Sequence, residues 1–488
     1  MSTEFSQLNI INSSKISIES TSYALALINN KRLLVVIDEK ENLNNDWEGE
    51  IIPRGKGTLI LAPLNHHNAN QLRQKMPWLN PKLLGLQTSA GMGDRLGFAT
   101  PGHVRAVRHF GNKIAPIFAQ QSMREMARTE RTPQGVMDDA MWGIFQENWQ
   151  GGHGADADHL KSEKDIDLCF KAGFTFFTVD PGHFVDNRAE NADLSTLREL
   201  VDQMPENMQA HATGLLYRKL TIEDIHLDFE ESILLKAIVK YGKAVVHVAR
   251  MYSYLQQITG GHPFEFEISV DETDQPTSFH EHAYVASELK RFGVEWVSLA
   301  PRYIGRFEKG VDYIGNLDNF AKDIKGHAAI ARHYGPYKLS LHSGSDKFSV
   351  YSLAMKATDG LVHLKTAGTS YLEALHTVSR FDEDLVRDIY SFGRTHYPED
   401  RLTYHVSADL NLAPDPRDVK DWTALLNQFD ARQILHVTFG SAMTARDKNG
   451  ELLFYPRFVT LLKENWDQYA TDLETHFLRH LSPFQNYK

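Results

Sequence analysis

Four side chains able to bind a divalent metal or carry a proton, His153, Asp156, Asp158 and His159, fall within Gly151-Gly-His-Gly-Ala-Asp-Ala-Asp-His159. The residues between them are glycines and alanines, small enough for backbone to run close to a bound molecule. A polar surface loop would account for any one of the four. As a cluster they point to a site, because similar groups recur further along the chain.

In Phe264-Glu-Phe-Glu-Ile-Ser-Val-Asp271 the apolar residues alternate with Glu265, Glu267, Ser269 and Asp271. Side chains of a strand alternate between its two faces. If the apolar face meets helices, the polar row turns inward, where a lone carboxylate is costly unless ligated or paired. Lys338-Leu-Ser-Leu-His342 repeats the pattern and leads into Ser343-Gly-Ser-Asp-Lys347. Leu361-Val-His-Leu-Lys365 does so again, leading into Thr366-Ala-Gly-Thr-Ser370. Thr178 and Asp180, before Pro181-Gly-His183, make a fourth case.

His159, His342 and His363, with carboxylates nearby, form an expected site for Zn, Mn, Ni, Co or a similar divalent ion. Imidazole and carboxylate suit these metals, and the single cysteine leaves no thiolate cluster to compete. No HExxH or CxxC spacing sharpens the choice of metal. Asp158 and Glu267 come from different strands, as an acid–base pair working on opposite faces of one carbon requires. Lys365 has three open roles: binding a substrate oxygen, acting as a base, or forming a Schiff base if desolvation lowers its pKa.

Gly91-Met-Gly-Asp-Arg-Leu-Gly97 lacks both the Gly-Lys-Ser/Thr and the GxGxxG patterns. It reads instead as a tight loop carrying Asp94 and Arg95, with Arg95 placed to clamp a carboxylate. Arg302 is a second anion-binding candidate. Gln121, in the run Gln120–Glu125, suits sugar hydroxyls, and Asp346 and Lys347 complete the expected substrate-binding set.

These residues need a scaffold that gathers strand ends. From Leu84 onward, apolar runs alternate with amphipathic helical stretches. The expected strands are Gly85–Ser89, Ala115–Gln121, Trp149–Gly154, Phe174–Asp180, Phe264–Asp271, Glu295–Ala300, Lys338–His342 and Gly360–Lys365. Eight strand–helix units without an evident reversal favour an α/β protein with a closed (β/α)8, TIM-like barrel, whose sites form at the carboxyl ends of the strands. Tyr404–Ser407 and Ile434–Phe439 are two further strand-like runs.

The expected organisation is a small β-rich N-terminal region (1–82), with a hairpin candidate at Asn30-Lys31, then the barrel (83–380). An interval too long for one crossover, about 185–260, is expected to be a helical insertion. Residues 381–488 are expected to be mostly helical.

The chain has 488 residues and a net charge of −11, with 42% hydrophobic and 24% charged residues. An acidic balance argues against nucleic acid as the main partner but leaves room for an anionic small molecule held by one or two Arg or Lys side chains. No stretch is long and apolar enough to span a bilayer, and the start of the sequence has no signal-peptide pattern. Cys169 lies in an apolar run and is expected to be buried and inert. Together these features place the protein in the cytoplasm as an expectation; they do not fix an oligomeric state.

Taken in order, Gly-Asp-Arg-Leu-Gly with Ala-Thr-Pro-Gly-His103, Gly-Ala-Asp-Ala-Asp-His159, His342-Ser-Gly-Ser-Asp-Lys347 and His363-Leu-Lys-Thr-Ala-Gly-Thr-Ser370 resemble the tagaturonate epimerase family. The resemblance runs over roughly residues 85 to 445. It implies a metal-dependent enzyme of hexuronate breakdown that interconverts D-tagaturonate and D-fructuronate. It further implies Asp158 and Glu267 as the acid–base pair and His159, His342 and His363 as metal ligands. The two ketouronates differ at a carbon β to the ketone, whose C–H the carbonyl does not acidify. Simple enolisation would therefore invert the wrong centre, whereas retro-aldol cleavage and re-addition would invert the right one, with a metal stabilising the enolate. Transient oxidation by a held NAD is the rival route, and the sequence carries no dinucleotide fingerprint for it. A metal-dependent epimerase, isomerase or aldolase for neutral ketohexoses such as tagatose and fructose is the alternative on the same barrel, since fold does not fix function.

Overall fold

The computed structural model describes residues 8–29, 31–39, 46–54 and 57–485. Eight parallel strands close into a barrel: β6 (Ser89–Gly91), β7 (Ala115–Ser122), β8 (Gly154–Leu160), β9 (Phe176–Val179), β12 (Glu265–Val270), β13 (Ser298–Pro301), β14 (Lys338–Leu341) and β15 (Val362–Lys365). β15 pairs with β6, and β9 pairs with β12, which closes the ring.

Before the barrel, β1 (Ile10–Ile18), β2 (Thr21–Ile28), β3 (Lys31–Asp38), β4 (Glu50–Arg54) and β5 (Gly57–Pro63) form an antiparallel sheet in the order β1-β2-β3-β5-β4. β2 and β3 pair up to Ile28↔Lys31, so they form the expected hairpin; Asn30 itself lies outside the described residues. One face of the sheet joins the main core through Leu34, Val36 and Ile60. Arg73, on the helix His66–Lys75, reaches Asp138 of the barrel helix Pro133–Gln146 at 2.7 Å.

The long interval between β9 and β12 holds more than helices. It contains the hairpin β10 (Lys219–Ile222) and β11 (Ile225–Asp228) beside the 29-residue helix Glu231–Thr259. That helix ends where Gly260 turns left-handed at φ 59°, a conformation glycine adopts without a Cβ clash. After the barrel the chain is helical. Ile434–Phe439, strand-like in sequence, falls mostly within the helix Phe429–Val437, and 404–407 forms no strand. Cys169 is buried on the helix Glu163–Ala172, and burial pushes its thiol up to about 12.

The third barrel strand departs from expectation. The strand starts at Gly154 rather than Trp149, so Gly154-Ala-Asp-Ala-Asp-His-Leu160 is itself β-structure. His153 precedes it, packed against Phe118 with ring centroids 6.0 Å apart, and burial pushes its pKa down to about 3. His153 is thus part of the packing below the strand, away from the other three.

Candidate active site

The barrel interior is charged where most barrels are apolar. Asp156, Glu267, His363 and Lys365 are all 2% exposed or less. Lys365 Nζ lies 3.0 Å from Asp156 Oδ2, 2.9 Å from Asp158 Oδ1 and 2.8 Å from Glu267 Oε1, and it donates to Thr178 Oγ1 at 2.7 Å. Burial alone would lower an ammonium's pKa; three carboxylates outweigh it and hold Lys365 well above its usual range. A Lys in this setting stays protonated, which leaves no free amine for a Schiff base. Glu267 shows the complementary effect. Burial would raise it, but Lys365 and the histidines bring it below the usual carboxylate value.

Above this layer sit Asp158, His159 and His342. Strict alternation would send Asp158 inward and His159 outward. The pairing of β8 with β9 instead shifts register between Ala157↔Phe177 and Leu160↔Val179, so β8 carries one extra residue there. That residue is absorbed by a bulge at His159, whose φ is 56°. The bulge turns two consecutive side chains toward the barrel mouth. His159 Nδ1 then lies 3.0 Å from Asp158 Oδ2, and His342 Nε2 lies 3.2 Å from both Asp158 Oδ1 and His159 Nδ1. Burial would lower His159, but Asp158 on one side and Glu272 on the other hold it up, to about 10.

One carboxylate oxygen of Asp158 and one ring nitrogen from each histidine lie within 4.8 Å of one another, close enough to be held by a single cation. Behind His159, Glu272 stands 3.2 Å from Nε2, the outer carboxylate that orients a ligating imidazole. His342 presents Nε2 to the same point, with Asp271 and Glu267 standing 3.8 and 3.9 Å behind its Nδ1. The donor set therefore fits a divalent ion.

These groups face a narrow cavity. Its lining includes Gln120, Arg124, Glu125, Lys309, Lys347 and Lys365 as well as Asp158, His159 and His342. Arg124, Lys309, His342 and Ser343 also line a wider cavity of about 310 Å³ that approaches from the side of Arg302 and Tyr404. Ser122, the last residue of β7, caps the next helix by accepting from Glu125 N at 3.1 Å, which sets Arg124 and Glu125 on the first turn at the rim.

The sequence profile of the tagaturonate epimerase family matches residues 11–484. The chain belongs to that family. It is an epimerase, in the isomerase class. It is 42% identical over 468 residues to the tagaturonate/fructuronate epimerase of Thermotoga maritima, covering 95% of this chain and 94% of the relative. Its fold is similar to the native crystal structure of the fructuronate-tagaturonate epimerase from Cohnella laeviribosi. The TM-score is 0.92 at 36% identity, over 99% of this chain and 97% of that one. A glycerol complex of the same Cohnella enzyme also gives a TM-score of 0.92, at 37% identity over 98% of this chain and 96% of that one.

Within this epimerase, the structure brings together only part of the set expected from sequence. Asp158, His159 and His342 converge, whereas His363 lies a layer deeper. Its Nδ1 is 2.9 Å from Ser89 Oγ, its Nε2 is 3.8 Å from Asp156, and burial lowers its pKa to about 3. Glu267, fully buried beneath Lys365, does not line the cavity. Gln121 is also displaced. Gln120 pairs with the inward Asp156 and donates to Asp158 Oδ2 at 3.4 Å, while Gln121 pairs with the outward Ala157.

In the loop 91–97 the Asp94 carboxylate is spent on nearby backbone. Asp94 accepts from Leu96 N, Gly97 N and Ala99 N at 2.6–3.0 Å. At Gly93 a Cβ would stand 2.5 Å from Ala367 Cα, so two rim loops meet backbone to backbone there. Arg95 is buried in an ion pair with Glu125 and lies 3.6 Å over the Phe439 ring. Arg302 lines the outer cavity. Lys347 donates to the carbonyls of Glu308, Val311 and Ser345 at 2.6–2.8 Å, and burial lowers it to about 7. Asp346 turns away from this cavity altogether, toward the C-terminal helix.

The sequence reading took Gln121 from the pair Gln120–Gln121, and it missed Arg124, Glu125, Glu272 and Lys309. Strand register could have chosen Gln120 over Gln121, because residues paired across a parallel ladder point the same way. Lys309 lies in the loop after β13, where periodicity carries no signal.

Proposed function

We propose that this epimerase interconverts D-tagaturonate and D-fructuronate by retro-aldol cleavage and re-addition, with a divalent cation held by Asp158, His159 and His342. The observation that carries this reading is the convergence of those three donors on a cavity rimmed by cations. The names of the Thermotoga and Cohnella relatives support the substrate pair. A bound divalent ion would polarise the substrate ketone and stabilise the enediolate.

Counting from the hydroxymethyl carbon, the ketone is C2 and the centre to invert is C4. Loss of the C4 hydroxyl proton allows the C3–C4 bond to break. Its electron pair passes to C3 and onto the C2 oxygen, leaving an aldehyde at C4. Rotation about C4–C5 presents the other aldehyde face; the bond reforms and the proton returns to the C4 oxygen. Glu125 after β7, whose Oε2 has no partner, takes up and returns this proton, while Lys365 at the end of β15 stays an ammonium and stabilises the oxyanions as they form. Glu267 and Asp156 act through Lys365 by holding its charge in place. The substrate carboxylate falls to Lys309, whose Nζ donates to Ser343 Oγ at 3.2 Å. Among the described residues no carboxylate pairs with it. Arg124 beside it is already 3.2 Å from Glu272.

The test is epimerisation of D-tagaturonate by protein stripped with a chelator and resupplied with single divalent ions. Fructuronate should form only after metal returns, and a three-carbon aldehyde acid should be trapped during turnover. Glu125→Gln should lower kcat by about 10²–10⁴-fold, and Lys309→Ala should raise KM for the uronate. Activity surviving full stripping would remove the cation, and a bound nicotinamide turning over would sink the retro-aldol route. Equal turnover of neutral ketohexoses would refute the role of Lys309 and favour the neutral-ketose reading.

A further inference from the structure

Outside the barrel, Asp346 meets two histidines one turn apart on the helix Trp466–Leu481, His476 and His480. Residues at i and i+4 share a helix face. Asp346 reaches them from the loop after β14 with a left-handed backbone, φ 60°. Its Oδ1 lies 2.9 Å from His476 Nε2 and 3.5 Å from His480 Nε2, and the two nitrogens are 3.1 Å apart. Donors of a tetrahedral site with bonds of about 2.0–2.1 Å stand about 3.3 Å apart.

The outward hydrogen bonds decide what these atoms offer. Tyr351 has one hydroxyl proton, which it donates to Gly344 O at 2.5 Å. Its oxygen therefore accepts from Lys347 N at 3.0 Å and from His480 Nδ1–H at 2.8 Å. His476 Nδ1 lies 3.1 Å from Glu373 Oε1, which can only receive a proton when ionised. Both imidazoles thus commit Nδ1–H outward and turn Nε2 inward, oriented by a tyrosine and a carboxylate as metal-bound histidines are. Asp346 Oδ2 is occupied separately, by Ser345 Oγ, Thr369 Oγ1 and Arg432 Nη2, each at 3.3 Å. Three electron-pair donors then face one point, beside a crevice of about 700 Å³ that Asp346, Glu373 and His476 help to line.

We infer that Asp346, His476 and His480 form a second divalent-cation site, for a zinc-like d-block ion, distinct from the barrel tripod. Its role is to tie the C-terminal helix to the loop after β14. That loop carries Ser343, Ser345 and Lys347 into the wall of the active-site cavity. The competing arrangement is a lone proton: His476 as an imidazolium bridging Asp346 and Glu373, with no metal.

The test counts metal in the full chain after chelator stripping, reloading with Co²⁺ or Zn²⁺ and dialysis. Wild type should hold two ions per chain, and His342→Ala and His480→Gln should each hold one. Should His480→Gln fail to fold, the His342→Ala protein still decides. It should retain one ion, and Zn²⁺ should raise its melting midpoint by about 3 °C. An ion lost in His480→Gln but kept in His342→Ala would uphold this site while refuting the barrel one. A His342→Ala protein that binds no ion and gains no midpoint on Zn²⁺ would overturn the inference in favour of the bridging proton.

Discussion

Lys365 shows how neighbours reverse the expected behaviour of a side chain. Burial alone would make it a weak base near neutrality, the state a Schiff-base lysine needs, yet Asp156, Asp158 and Glu267 all lie within 3.0 Å of its ammonium. Removing the charge leaves three carboxylates crowded in a closed barrel. Lys365→Met should therefore cost about 3–5 kcal/mol in chemical denaturation, the usual penalty for stripping one partner from a buried ion cluster, and abolish turnover. A variant as stable as the parent would show that the carboxylates neutralise one another by holding protons. The presence of Lys365 on an inward strand face was legible from alternation in Leu361–Lys365. Its protonation was not, because the three carboxylates come from two other strands.

At the scale of the element, the bulge in β8 makes the site. An unbulged strand would place Asp158 and His159 on opposite faces, and the donor triangle with His342 would not exist. Because His159 sits at φ 56°, the position tolerates glycine and strains a β-branched residue. His159→Gly should therefore be more stable than His159→Val by about 1–2 kcal/mol in denaturant unfolding, although both lose the imidazole. Equal stabilities would mean that the strand can relax to a regular register. The adjacent pair Asp158-His159 was visible in sequence as chemistry. The register shift that lets both act in one place was not, since a bulge is decided by how β8 pairs with β9.

Across the whole molecule, stability sums groups that folding shifts in opposite directions. Asp323, on the helix Leu317–Tyr334, is mostly buried while accepting from Ile304 N at 3.0 Å, and burial pushes its carboxyl up to about 6. Its folded pKa exceeds the ordinary 3.8, so between roughly pH 4 and 6 the folded chain holds a proton that the unfolded chain has lost. Wild-type stability from this group should fall as pH rises through that window, a change of about 2 kcal/mol. Asp323→Asn, which keeps an acceptor for Ile304, should be more stable than wild type at pH 7, with the gap closing by pH 4. A gap independent of pH would place the effect in packing.

The scaffold and the kinds of side chain that line it were readable from local periodicity. Eight spaced strand–helix units carry the barrel, and polar rows opposite apolar ones carry its charged interior, because both follow from local periodicity. Glu265 through Val270 and Lys338 through Leu341 became strands close to where alternation put them. Which of those polar groups meet depends on the closed barrel. His363 and Glu267 are inward-facing like His342, but they end a layer lower, because height along the barrel depends on register between strands far apart in sequence. Arg95 lost its expected freedom to Glu125, and Asp346 turned to a helix more than a hundred residues away. Such pairings cost or return free energy only once the chain has closed, so no single segment records them.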